Sequence, residues 1–165
     1  QEWWVRMKAA VPAHRFGAVG MDLADAAPGV LDAIREADLV LLPPSNPVVS
    51  IGIILGVPGV RDALRGTAAP VVGVSPLIDG KPVRGHADVC LSAIGVEPTT
   101  QAVAGLYADF LDGWLIDDAD TPAGGFDSRL EVHSRPLWMR DIQTAADIAE
   151  AAVDLGLRLR RTQPV

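Results

Sequence analysis

Leu39-Val40-Leu41-Leu42-Pro43-Pro44-Ser45-Asn46-Pro47-Val48-Val49-Ser50-Ile51-Gly52 reads as an apolar strand, a stiff polar turn and a helix start. A strand that is apolar at every position is buried on both faces, the pattern of a parallel sheet. Pro43 and Pro44 fix φ where the strand ends, and Ser45 and Asn46 bring short hydrogen-bonding side chains to the turn. Pro47 suits the first helical position, which makes Asn46 the candidate N-cap. The first backbone N–H groups of that helix, near 48–50, then lack intrahelical acceptors and could face an anion such as a phosphate. The plainer alternative is a capped helix with no ligand.

Working outward, 48–55 is apolar almost all round, so as a helix it is expected to be enclosed by other elements. Gly56-Val57-Pro58-Gly59 interrupts it, 60–64 adds a further turn, Gly66 ends it, and Pro70-Val71-Val72-Gly73-Val74 is a second buried strand. The β-α-β order predicts a right-handed crossover and a parallel pair. Next comes a second polar loop, 75–86, holding the cations Lys81 and Arg84. Ligands of open parallel sheets sit outside the carboxyl ends of the strands, so both loops are expected on one rim.

The remaining pattern completes an α/β chain. Trp3, Trp4 and Met7 fall on one side of an N-terminal helix ending before Pro12, and 15–19 is a weak strand. Helices are predicted at 28–37, 87–94 and 100–111, with Val103, Leu106, Tyr107 and Phe110 inward in the last, and short strands at 114–116 and 130–133. Asp117-Asp118-Ala119-Asp120 could be a cation site, but it lacks EF-hand-like spacing and precedes 121–125, which reads as a solvated loop. A closing helix over 143–156 sets Ala145, Ile148, Ala149 and Ala152 in register, and Arg158, Arg160 and Arg161 complement its C-terminal dipole. The predicted class is α/β, three-layered, with a mainly parallel sheet of Rossmann-like βαβ units.

Composition excludes other classes. The 165 residues with 49% hydrophobic content suffice for one domain with a real core. A net charge of −7 disfavours nucleic-acid and anionic-membrane partners and leaves a small molecule as the expected partner. Cys90 is the only cysteine, which rules out an intrachain disulfide, and its apolar neighbours predict an inert buried thiol. No apolar run reaches the roughly 20 residues of a spanning helix, and a cytoplasmic location is expected. Dinucleotide-binding, phosphate-loop, serine-elbow and zinc-protease motifs are all missing. His14, His86 and His133 have no paired metal-ligand spacing; only His86, in the second rim loop, is a candidate for the site.

The ordered set Gln1-Glu2-Trp3-Trp4-Val5-Arg6, Ala27-Pro28-Gly29-Val30, 37–52 and Val74-Ser75-Pro76-Leu77-Ile78-Asp79-Gly80-Lys81-Pro82 resembles the 2-phospho-L-lactate transferase family. The resemblance continues through Gly95-Val96-Glu97-Pro98-Thr99 and Phe110-Leu111-Asp112. It implies a transferase that joins a phospholactyl or phosphoenolpyruvyl guanosine diphosphate derivative to a deazaflavin alcohol, with magnesium assisting and GMP released. It further implies that residues 1–165 are the C-terminal portion of a single α/β transferase domain, incomplete and inactive alone, with the magnesium ligands outside this chain. No catalytic residue is singled out. The residues expected to bind substrate and phosphate are Ser45, Asn46, Pro47 and Ser50 from the first loop, and Ser75 and Lys81 from the second. Two departures are Pro43, where the family has Gly, and His86, where relatives more often carry Pro. The related nucleotide-sugar-binding regulators of gluconeogenic growth share the strand, loop and helix, but Asn46-Pro47 and Lys81-Pro82 favour the transferase. A non-catalytic remnant or assembly module pairing through Trp3 and Trp4 is a third possibility, and a homo-oligomer is expected.

Overall fold

The computed structural model describes residues 2–120 and 125–162. A wide helical turn at Glu2–Arg6 is followed by α1 (Val30–Arg35), β1 (Val40–Leu42), a second wide turn at Pro47–Ile51 running into α2 (Gly52–Gly56), and α3 (Val60–Gly66). Then come β2 (Val71–Val74), a small antiparallel hairpin of β3 (Leu77–Ile78) and β4 (Lys81–Pro82), α4 (Ala87–Ala93), α5 (Thr100–Gly105), β5 (Gly113–Ile116), β6 (Glu131–Ser134) and α6 (Ile142–Thr162). The main sheet has the order β1-β2-β5-β6 and every pair in it is parallel.

Strand alternation sorts the sheet residues into two cores. Leu42, Val71, Trp114 and Ile116 pack with Ile51, Val60, Leu64, Leu91, Val103 and Tyr107 on one face. Val72, Val74 and Leu115 pack with Ile148, Ala152 and Leu155 of α6 on the other. The three layers follow from chain order. Each strand is laid down on the same side of the last, so right-handed crossovers send the connecting elements to one face, and α6 is left to cover the opposite one.

Trp114 sits directly across from Gly73 in the parallel register. A Cβ on Gly73 would fall on the Trp114 ring, so the missing side chain on β2 is the space that the indole occupies. On the other face a Cβ on Gly113 would lie 3.1 Å from Leu155 Cδ2 and 3.0 Å from Leu159 Cδ1, which brings α6 down onto β5. Gly156 in turn leaves room for Leu39. An ion pair of 2.8 Å between Arg160 and Asp38 ties the end of α6 to the approach to β1.

Several local expectations are corrected. Residues 15–19 form no strand; Phe16 instead packs edge-on against Trp3, at 5.7 Å between ring centroids. The N-terminal helix is a single wide turn with Met7 exposed, because positive φ at Lys8 and Ala9 turns the chain away. The 47–56 segment is not enclosed: Ile51 is buried, but Ile53 and Ile54 are 39% and 55% exposed. The helix expected over 100–111 ends at Gly105, and the chain then turns with Tyr107 and Phe110 still buried. The closing helix is longer than 143–156, and its buried stripe runs through Ile148, Ala152 and Leu155, leaving Ala149 exposed. The loop at 121–124 and the side chain of Arg161 lie outside the described residues.

Two outcomes follow. Gly73→Ala is expected to destabilise the fold by about 1–3 kcal/mol through overpacking, because the facing indole is buried and cannot swing aside; urea denaturation measures this, and adding Trp114→Leu recovers part of the loss. The second concerns Asp141, which caps α6 by accepting a 2.7 Å hydrogen bond from Thr144 N. That bond holds the carboxyl below its ordinary value of 3.8. The contribution is therefore present above that value and is lost as pH falls through the depressed one. Thermal melts down the acid limb are expected to show the wild type's advantage over Asp141→Ala disappearing there.

Candidate functional site

The carboxyl ends of β1 and β2 lie side by side, and the loops that leave them share one rim, as the strand pattern predicted. Between them is a cleft of about 440 Å³ whose walls include Trp4, Ser45, Ser75, Arg84, Trp138 and Met139. A volume of that size holds a drug-sized ligand. The 137–139 segment reaches the cleft from the carboxyl end of β6, anchored where Leu137 N donates to Asp117 Oδ2 at 2.8 Å.

Asn46 is the N-cap. Its Oδ1 accepts from Val48 N at 2.9 Å and from Val49 N at 3.0 Å. Its backbone carbonyl accepts from Ser50 N at 3.2 Å and Ile51 N at 3.0 Å. The second of these spans five residues and gives the turn its extra width. A Cβ on Gly52 would meet the Pro47 carbonyl oxygen at 2.8 Å, so the wide turn also depends on glycine there. These bonds correct the expectation of free N–H groups at 48–50: Asn46 itself takes up the donors that an anion would have used. The Asn46 Nδ2 is sealed from solvent without a hydrogen-bond partner, and the side chain neighbours the Cys90 thiol. Burial pushes that thiol up, and Asn46 offsets part of the effect.

The other expected residues divide. Ser45 lines the cleft, and its hydroxyl donates to Ser50 Oγ at 2.8 Å, so these two act as a pair. Pro47 is buried and borders a separate apolar groove on the far side of the turn. Ser75 lines the cleft but is only 2% exposed. Its hydroxyl accepts from Thr100 Oγ1 at 3.0 Å and from Leu77 N at 3.2 Å, and Thr100 accepts from Trp114 Nε1 at 2.8 Å. Lys81 is exposed on β4 and is not part of the cleft lining. The cation that enters the cleft from this loop is Arg84, which among the described residues forms no ion pair or hydrogen bond. Both cations stood in one sequence segment; the hairpin turn decides which of them faces the rim.

Trp138 and Met139 carried no sequence signal beyond following a strand. Trp4 reaches the cleft across Gly85, whose φ is 77° and where a Cβ would lie 3.1 Å from the indole. His86 packs edge-on against the same ring at 5.1 Å, in the N-cap position of α4 but without a side-chain capping bond. Pro43 is exposed and is not among the cleft residues.

The magnesium that the resemblance implies finds no cage among the described residues, where no group of three His, Cys, Asp or Glu side chains converges. The carboxylates of Asp117 and Asp120 are occupied in holding backbone N–H groups. Asp117 is buried and accepts from Ala119 N and Leu137 N. Asp120 accepts from Asp79 N at 3.3 Å and Gly80 N at 3.2 Å, with burial raising its pKa against those bonds.

Fold and cleft together define an α/β protein with a ligand-sized hollow at the carboxyl edge of its parallel strands. The profile of the family described as 2-phospho-L-lactate transferase CofD matches residues 1–159, and the chain belongs to that family. It is 60% identical over 163 residues to a phosphoenolpyruvate transferase of Thermobifida fusca, a match covering 97% of this chain and 49% of the relative. The phosphoenolpyruvate transferases of Mycolicibacterium smegmatis and Kitasatospora aureofaciens are each 52% identical, with 94% and 97% of this chain covered and 48% and 51% of theirs. The chain thus spans about half the length of the curated relatives it matches.

Asn46→Ala is expected to lower the unfolding free energy by about 1 kcal/mol, and Asn46→Asp, which keeps the accepting oxygen, to recover most of it. Chemical denaturation of the two variants beside the wild type measures both effects.

Proposed function

We propose that this chain supplies the acceptor-side wall of a transferase that moves a phosphoenolpyruvyl phosphate from a guanosine diphosphate donor to the side-chain hydroxyl of a deazaflavin alcohol. The observation that carries the reading is the cleft itself. Two indoles, Trp4 and Trp138, and the guanidinium of Arg84, which has no ion-pair partner among the described residues, line one cleft at the carboxyl edge of β1 and β2 in a member of this family. A flat heteroaromatic ring suits the apolar indole side, and a phosphate suits a guanidinium.

In this reading the acceptor hydroxyl attacks the donor phosphorus in line. A new O–P bond forms, the anhydride P–O bond to GMP breaks, and the hydroxyl proton passes to water. Charge grows on the phosphoryl oxygens as this happens. Arg84 stabilises that charge, and the Ser45–Ser50 hydroxyl pair orients the group. Ser75 acts one layer behind, holding the loop in place through Thr100 and Trp114. Asn46 holds the other loop through its cap. The phosphoenolpyruvyl donor is preferred to the phospholactyl one because the relatives named above are phosphoenolpyruvate transferases. Since the chain spans half of their length, the complete reaction is proposed for the full-length protein and not for this portion alone.

Transfer assays on the full-length protein test this. Arg84→Ala and Trp138→Ala are expected to lower kcat/KM at least about tenfold, in line with loss of a charged hydrogen bond or an aromatic contact, while Ser128→Ala, at an exposed position outside the cleft, leaves it unchanged. Unaltered kcat/KM in both cleft variants would remove this cleft from the reaction.

A further inference from the structure

A second polar hollow lies at the end of β6, between that edge strand and α6. Its volume is about 240 Å³, and it is lined by His133, Ser134, Arg135, Asp154 and Arg158, with Leu115 and Ala151 as its apolar wall. It shares no lining residue with the cleft.

The charges around it are poorly compensated. Arg135 Nη1 donates to the carbonyl of Asp147 on α6, but its Nε is sealed from solvent and has no acceptor. Arg158 is exposed, and its Nη2 lies 3.4 Å from His133 Nδ1. Asp154, one turn earlier on α6, is spaced to pair with Arg158, yet no ion pair forms between them, and neither arginine has one among the described residues. Glu131 is taken by His133 Nε2 at 2.9 Å. On a chain of net charge −7, the two guanidiniums lining this hollow outnumber its one lining carboxylate, Asp154. Guanidinium groups match oxyanions bidentately, and Ser134 adds a hydroxyl donor.

We propose that this hollow binds a phosphate oxyanion, held by Arg135 and Arg158 with Ser134 beside them. The site is separate from the transfer reaction and does not depend on it. It does bear on the cleft through the backbone: Arg135 stands two residues before Leu137, whose N–H is fixed on Asp117, and the next two residues are cleft walls. An oxyanion that draws Arg135 toward α6 therefore acts on the segment presenting Trp138.

Isothermal titration of the full-length protein with inorganic phosphate, and separately with glycerol 3-phosphate, tests the proposal and tells a free-phosphate site from an ester site. Saturable binding of at least one is expected. Arg158→Gln, on the exposed surface, should weaken it about tenfold, the value of one charge-assisted hydrogen bond, and Arg135→Lys should do the same, while Arg15→Gln, exposed and lining neither the cleft nor the hollow, leaves it intact. The proposal is overturned by the lack of saturable binding through the millimolar range, or by affinity that is indifferent to both hollow variants, which would place any bound phosphate elsewhere.

Discussion

The indole of Trp114 lying over Gly73 is the contact on which the rest of the arrangement depends. It places the largest fully buried side chain at the centre of the sheet, where a neighbouring strand has no side chain at all. The same indole donates to Thr100, Thr100 to Ser75, and Ser75 accepts from Leu77, so a packing contact in the core continues as a hydrogen-bonded chain into the loop after β2. Every polar atom named in that chain has a partner, which is the condition under which a buried network adds rigidity rather than cost. One wall of the cleft is in this way set by the core.

The opposing wall is set by a cap. Asn46 saturates the donors at the start of its helix, and the wide turn allowed by Gly52 carries the segment on toward α2. The electrostatics of the cleft consequently come from a side chain, Arg84, and not from exposed backbone N–H groups. This matters for the chemistry: a guanidinium on a loop brings a full charge and a planar set of donors, whereas a short capped helix has already used what it could offer. The neighbouring carboxylates follow the same economy, with Asp117 and Asp120 pinning backbone and leaving no cation cage among the described residues.

Exposure on the outer side of α2 belongs to the same picture. Ile53 and Ile54 lie in a stretch apolar enough to belong inside a protein, yet they face outward in a chain that is half the length of its relatives. Leu41 on the edge strand β1 is likewise 40% exposed, on the α6 side of the sheet, where α6 packs mainly over β2 and β5.

How much of this was legible beforehand depends on the range of the interaction. Continuous apolar runs at 39–42 and 70–74 determined two parallel strands, but only β2 is buried throughout; β1 lies at the sheet edge and leaves Leu41 exposed. The Asn46-Pro47 pair determined the helix start, since capping and a fixed φ act within three residues. The shared rim of the Ser45 and Ser75 loops followed from chain order and crossover hand. Residue patterns also carried the family. Only the tertiary structure decided which of Lys81 and Arg84 faces the cleft, that Trp138 and Trp4 line it, that Asp117 is buried and holds the 137–139 segment, and that residues 15–19 form no strand, with only Phe16 packed. Each of these turns on contacts between segments far apart in the chain, where local periodicity has no purchase and the outcome rests on which surfaces the sheet brings together.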